Sequence, residues 1–223
     1  MKKHIVKIYR TFYVTPDVKC FRLEKPRGYS FEPGQATEVA VNKPGWQEKK
    51  RPFTFTSLPE DDYLEFTIKI YPSHRGVTNE LHHTSIYDKL IVHDVFGAIK
   101  YQGEGVFIAG GAGITPFLAI FRQLQTTGRI SGNSLIFGNK RIADIIGRDE
   151  LLEMLGNRFI SVLSEEKADG NEHGLITKKL LEKYITDFNQ HFYVCGPEIM
   201  MKTVLDHLAN LGVDDKNIVQ EEL

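Results

Sequence analysis

Along the first hundred residues, apolar and polar positions alternate with a period of two. "HIVKIYRTFYV" from His4, "VKCFRLEK" from Val18, "ATEVAVN" from Ala36, "RPFTFTS" from Arg51, "YLEFTIKIY" from Tyr63 and "KLIVHDVFG" from Lys89 are rich in β-branched and aromatic residues. That pattern predicts short, half-buried strands. The segments between them, "TPD", "PRGYSFEPG", "NKPGWQ" and "LPEDD", consist of residues that favour turns. Six strands with no long helix between them predict an antiparallel sheet closed into a small barrel. The exception is Gly76–His83, "GVTNELHH", which reads as a short helix closing one mouth.

After "YQGEG", from Tyr101, the period lengthens. The runs "GVFIAGG", "SLIFGN", "FISVLS", "FYVCG" and "NIVQEE" alternate with segments of helical spacing. In "TPFLAIFRQLQ" the apolar stripe is Phe117, Ile120, Phe121 and Leu124. In "PEIMMKTVLDHLANLG" it is Met201, Val204, Leu205, Leu208 and Leu211, with Gly212 placed to end the helix. "RDELLEML" and "ITKKLLEKY" read as two further helices. Strands alternating with helices pair in parallel and predict a doubly wound α/β sheet. The change of rhythm puts a domain boundary near Gly103, dividing the chain into residues 1–102 and 103–223.

Composition removes several classes of function. A chain of 223 residues is long enough for two domains that each bury a core. A formal net charge of −1 offers no basic excess for nucleic acid or an anionic membrane. No apolar run approaches the roughly 20 residues that span a bilayer. The opening "MKKHIVKIYRTFYV" alternates like a strand and lacks the continuous apolar region of a signal peptide. A cytoplasmic location is therefore expected, with Cys20 and Cys195 as reduced thiols. Two cysteines are too few for a cysteine-ligated iron–sulfur cluster.

Candidate chemistry gathers at two turns of the second half. In "FIAGGAGITPFLAIF" a strand ends near Ala109, and Gly110, Gly111, Ala112 and Gly113 make a turn where backbone approaches a ligand closely. Thr115 is placed to cap the following helix and Pro116 fits its first position. Unpaired amides and the positive helix end then suit a pyrophosphate; the alternative is a turn that merely connects strand to helix. In "FYVCGPE" a strand delivers Cys195 to the carboxyl edge of the sheet, where open α/β sheets bind ligands. Gly196 and Pro197 lead into the next helix. The alternative for Cys195 is a small buried hydrophobe.

"RPFT", "GVTNEL", "AGGAGITP" and "YVCGP", collinear across nearly the whole chain, resemble the ferredoxin–NADP+ reductase superfamily. The resemblance implies a six-stranded antiparallel barrel that binds a flavin, usually FAD. A doubly wound domain with a five-stranded parallel sheet, binding NADPH or NADH, would follow. It places Arg51 on the flavin phosphates, a role that suits a guanidinium fork. Pro52 and Phe53 would lie against the flavin and Thr54 near its N5, although Phe53 also reads as a core aromatic of the barrel. The family's next flavin segment falls on Thr67, Ile68, Lys69 and Ile70, and its pyrophosphate loop on Gly76, Val77 and Thr78. A related stretch makes Val95 to Gly97 neighbours of the ring.

Cys195 would sit beside the nicotinamide, across from Thr54. Glu221, counted back from the end, would match an acidic residue near the active site. At "FGNKRIAD" the ribose 2′ position should meet Asn139, Lys140 and Arg141, with no carboxylate before Asp144. A nearby cation accommodates a 2′-phosphate, which leans towards NADPH. The implied activity is an NAD(P)H oxidoreductase passing electrons through FAD to a small carrier, ferredoxin or flavodoxin. No cysteine-rich segment follows, so the acceptor is expected on another protein. The alternatives are the reductase component of an oxygenase, an FMN-binding relative, and a non-catalytic electron-transfer or nucleotide-sensing subunit.

Overall fold

The computed structural model describes residues 2–97 and 99–220. Its first six strands are β1 (His4–Thr15), β2 (Val18–Glu24), β3 (Ala36–Val41), β4 (Arg51–Thr54), β5 (Tyr63–Lys69) and β6 (Lys89–Phe96), with the helix α1 (Val77–His82) between β5 and β6. They pair antiparallel in the order β4-β3-β6-β1-β2-β5. The long strand β1 pairs with β6 through residues 4–7 and with β2 from Ile8 onward, shifting register as it bends. The two edge strands meet through an antiparallel bridge, Phe55 to Phe66. That bridge closes the barrel around Val6, Ile8, Phe21, Leu23, Val39, Phe55, Leu64 and Phe66, all essentially inaccessible to solvent.

The second sheet has the order β10-β9-β8-β7-β11-β12, all parallel. Its strands are β7 (Gly105–Gly110), β8 (Ser134–Asn139), β9 (Phe159–Leu163), β10 (Glu172–His173), β11 (His191–Cys195) and β12 (Ile218–Gln220). The helices are α2 (Thr115–Thr126), α3 (Arg148–Leu155), α4 (Lys178–Tyr184) and α5 (Glu198–Asn210). Alternate residues of each strand serve opposite faces. Phe107, Ala109, Leu135 and Phe137 pack with α2 and α3 residues such as Phe117, Phe121 and Leu151. Val106, Ile108, Ile136 and Val194 pack with Leu181, Val204 and Leu208 of α4 and α5. This is the doubly wound arrangement, with helices on both faces.

The sheet has six strands where five were expected. The extra strand is β10, whose two residues lie beside Val162 and Leu163 at the edge. Gly174 donates its amide to the Leu163 carbonyl at 2.8 Å just beyond it. Two polar residues carry no period, so only the loop's return path makes them a strand.

The connection between the sheets is held by Tyr193. Its hydroxyl accepts from the amides of Gln102 (2.9 Å) and Gly103 (3.0 Å) and donates to the Gly103 carbonyl (2.8 Å). A buried residue of β11 thus fixes the segment that brings the barrel against the parallel sheet. Among the described residues no helix is long and apolar enough to cross a membrane.

Candidate active site

The switch point of the parallel sheet lies between β7 and β11, which are adjacent although three helical crossovers, through α2, α3 and α4, separate them along the chain. Their carboxyl ends carry Gly110–Gly113 and Cys195–Pro197 side by side, because the register aligns Cys195 with Ala109. The contact is close: a Cβ on Gly196 would stand 3.1 Å from the Gly110 amide nitrogen, and one on Gly113 would stand 2.3 Å from the Cys195 carbonyl oxygen. Gly111 adopts φ +51, a conformation that favours glycine.

Thr115 departs from the expected capping role. Gly111–Ile114 already form a turn of 3-10 helix, and the Thr115 hydroxyl donates to the Ala112 carbonyl at 3.0 Å. The glycines begin coiling before the threonine is reached, so Thr115 is the first residue of α2 and makes no side-chain cap. Pro116 does fall in the first turn.

These turns face the barrel across a cleft of about 780 Å³. On the barrel side it is lined by Pro52, Phe53, Thr54, Thr67, Ile68, Lys69 and Thr78; on the other by Gly110–Gly113, Thr115 and Cys195–Pro197. Phe96 and Gly97 line it as well, and Val95 packs against the barrel core instead. β5 is paired with β2 along its whole length, while the β4 side reaches it at Phe66. The edge of Thr67–Lys69 away from β2 therefore opens on the cleft. Phe53 is half-buried, packing on the barrel core and lining the cleft.

A second cleft of about 270 Å³ adjoins the first and shares Lys69, Gly110, Gly111, Ala112 and Pro197 with it. Asn139, Lys140, Asp144, Leu175, Asp17 and Val18 line the rest. Its charged rim is paired, while the buried Asn139 Nδ2 has no hydrogen-bond partner among the described residues. Lys69 holds Asp17 at 2.8 Å, and Glu165 takes Lys140 at 2.9 Å and Arg141 at 3.7 Å. The hydrogen bond to Glu165 raises the Lys140 pKa, and the same bond lowers that of Glu165.

Several expected residues stand outside the cleft walls. Arg51 is exposed, its guanidinium donating to the Lys50 carbonyl at 2.9 Å. It lies two positions from Phe53 on β4, on the same side of the strand. Ile70 and Val77 are buried in the barrel core, so they can face a ligand only through backbone. Gly76 immediately precedes α1, with open space where a Cβ would stand. Glu221 lies outside the described residues.

The sequence did not single out Lys19, which is buried on β2 with its ammonium on the Thr84 (2.7 Å) and His82 (3.2 Å) carbonyls at the end of α1. Burial lowers its pKa, and Asp88 partly opposes that. Cys20 is excluded as a nucleophile: burial, with Glu65 beside it, pushes its thiol up to about 12.

A closed antiparallel barrel facing the switch point of a parallel sheet, with one continuous cleft between them, is the architecture of a two-nucleotide oxidoreductase. A family model for an FAD-binding domain matches residues 4–114, and one for an oxidoreductase NAD-binding domain matches residues 107–206. The chain belongs to the ferredoxin–NADP+ reductase superfamily, and FAD and a nicotinamide dinucleotide are the cofactors of its two domains.

Among curated proteins it is 29% identical to the reductase component of propane 2-monooxygenase from Mycolicibacterium goodii, over 93% of this chain and 62% of that protein. The chain thus spans about six-tenths of that relative's length. Among solved structures it resembles a ferredoxin NADP+ reductase from Neisseria gonorrhoeae with bound FAD and NADP, with a TM-score of 0.86, 20% identity and coverage of 99% and 98% of the two chains. The FAD/NAD-binding domain of nitric oxide dioxygenase from Vibrio cholerae is equally alike in fold, with a TM-score of 0.86, 21% identity and 97% of each chain covered.

Proposed function

We propose that the protein is a flavin-dependent NAD(P)H oxidoreductase that delivers electrons to a separate small redox protein, a ferredoxin or flavodoxin. The observation that carries the reading is the pair of adjoining clefts with a flavin-like wall on the barrel and a dinucleotide-like wall at the switch point. A bound FAD would supply hydride-accepting and electron-donating chemistry that side chains do not.

The chain's task is to bind, orient and exclude water. We place the barrel domain at residues 1–102 and the nucleotide domain at 103–223. Pro52, Phe53 and Thr54 are assigned to one side of the flavin ring and the open edge of Thr67–Ile70 to its rim. Arg51 and the Gly76–Thr78 segment are assigned to its phosphates, Arg51 after release of the Lys50 carbonyl. Gly110–Gly113 and Thr115 take the nicotinamide dinucleotide's pyrophosphate, and Cys195–Pro197 hold its reacting end. The similarity to a propane 2-monooxygenase reductase component favours one second reading, in which the acceptor belongs to an oxygenase system.

Anaerobic titration of the FAD-loaded protein with NADH and with NADPH tests the proposal. Loss of the oxidised-flavin absorbance on addition of coenzyme is expected; an FAD-loaded protein that neither coenzyme bleaches is instead a non-catalytic subunit, and the proposal fails.

Arg51→Ala removes a charge-assisted contact worth on the order of 1.5–3 kcal/mol. Flavin affinity is expected to fall about tenfold or more, measured by release on dilution. Undiminished occupancy removes Arg51 from the site.

We further propose that NADPH is the preferred coenzyme, by a small margin. Lys140 and Arg141 supply two positive charges to the 2′ position, and Glu165, paired with both, cancels one of them. Glu165→Gln leaves both cations to a 2′-phosphate and should raise the kcat/KM ratio of NADPH to NADH by about tenfold, or about 1.4 kcal/mol. Lys140→Ala with Arg141→Ala should lower it. An unchanged ratio in both variants places coenzyme selection elsewhere.

A further inference from the structure

A charged network joins the two walls of the cleft from behind. Glu65 lies on β5, two residues before Thr67, with its side chain only 5% exposed. It accepts from Arg22 at 2.8 Å, from Arg122 at 2.9 Å and from the Thr56 hydroxyl at 2.9 Å. Arg122 belongs to α2, the helix that starts at the glycine turn. Its guanidinium grips both oxygens of Glu150 on α3, at 2.6 and 2.9 Å, and also donates to the Thr56 carbonyl. The Thr56 hydroxyl stands 3.3 Å from that of Thr67, which lines the cleft. One side chain of the parallel-sheet half thus reaches two groups of the barrel half, beside the strand that carries the flavin wall.

The charges are settled in this arrangement. Burial pulls the Glu65 carboxyl upward, but Arg122, Arg22 and Thr56 outweigh it and hold its pKa below the ordinary value. Burial alone would lower the pKa of Arg122, and its two carboxylates raise it instead. Such a pair adds little net stability over an apolar substitute, while removing one member leaves a buried charge uncompensated. A fork that is satisfied in one geometry is suited to setting orientation.

We propose that Arg122 and Glu65 are positioning residues that set the separation between the barrel wall at Thr67–Lys69 and the nicotinamide wall at Gly110–Thr115. The proposal rests on the oxidoreductase reading for its kinetic consequence and on the hydrogen-bond geometry for its structural one. Two walls on separate sheets need a tie near the cleft, because a shift of about 1 Å between reacting partners costs on the order of a hundredfold in rate. A fraction of that shift is expected when the tie is cut.

The test replaces Arg122 with methionine, which keeps much of the length and removes the fork. Spin labels at Arg10→Cys on the barrel and Lys202→Cys on α5, both exposed positions, report the separation of the halves by pulsed electron resonance. Arg122→Met should broaden or displace the distance distribution. It should also slow anaerobic flavin reduction at saturating coenzyme by about tenfold, roughly 1.4 kcal/mol, with flavin occupancy and coenzyme Kd retained. If that variant does not fold, Arg122→Lys, which keeps a charge for Glu65 and gives up the fork on Glu150, is read in the same two ways.

An unchanged distance distribution overturns the proposal, and so does an unchanged reduction rate. A parent protein that binds FAD but is reduced by neither coenzyme overturns the oxidoreductase reading instead, and the label distances still decide whether the tie exists.

Discussion

Gly113→Ala is expected to slow reduction of the bound flavin by about a hundredfold or more while the flavin itself stays in place. The reason is steric and lies entirely in backbone. A Cβ on Gly113 would stand 2.3 Å from the Cys195 carbonyl oxygen, 2.5 Å from its carbon and 2.6 Å from the Gly196 Cα. Ordinary contact begins at 3.4 Å, so the two turns must part by about 1 Å. No flexible side chain is there to yield. Both turns belong to the proposed nicotinamide wall, and a displacement of about 1 Å costs on the order of a hundredfold. Overpacking also costs typically about 1–3 kcal/mol of stability. The barrel wall is untouched, so flavin absorbance serves as the internal control. Stopped-flow reduction at full speed in a flavin-loaded variant would remove the glycine turn from the reaction.

Cys195→Ala should produce a comparable loss by a different route. Cys195 ends β11, is 7% exposed, packs with Phe107, Ala109 and Ile114 in the core on the α2 side and lines the cleft. We assign its sulfur to a compact wall that holds the nicotinamide at reacting distance, with no nucleophilic step. Truncation leaves a gap at the reacting end and none at the pyrophosphate. The rate at saturating coenzyme should therefore fall by about a hundredfold, with coenzyme Kd moving by well under tenfold and flavin content unchanged. Equal bleaching rates at saturation in parent and variant return Cys195 to the role of a buried packing residue.

The outcomes differ because of where each residue's partners lie. In the proposed assignment, Arg51 and the Lys140–Arg141 pair act on cofactor charge from exposed positions, where solvent weakens each contact. In the same assignment, Gly113 and Cys195 act on geometry, where two backbone turns already touch.

Much of this was legible from local pattern. The period-two segments from His4 to Gly97 became the six barrel strands, since alternation is what a half-buried sheet requires. "RDELLEML" became α3 with the same boundaries, and the stripe Met201, Val204 and Leu208 is the buried face of α5. The cluster "AGGAGITP" sits at the switch point because strand, turn and helix follow one another within a dozen residues. Thr115 shows the limit of such reasoning. Its residue type suits a cap, but the conformation of the glycines before it decided when the helix began.

The sequence by itself determined two sheets of opposite kind, their order along the chain, and the glycine-rich turn at the carboxyl end of β7, because each depends on neighbours a few residues apart. Only the tertiary structure decided which distant groups meet. Glu65 and Arg122 are 57 residues apart, and no period relates a strand of one sheet to a helix of the other. Lys140 and Glu165 lie just beyond the ends of the neighbouring parallel strands β8 and β9, and their pairing depends on the register that sets Asn139 beside Leu163. β10 exists because β9 had an unpaired edge for a returning loop to meet. Local periodicity encodes burial of a face; ion pairs and edge pairing depend on how two faces are brought together, which is a property of the folded chain alone.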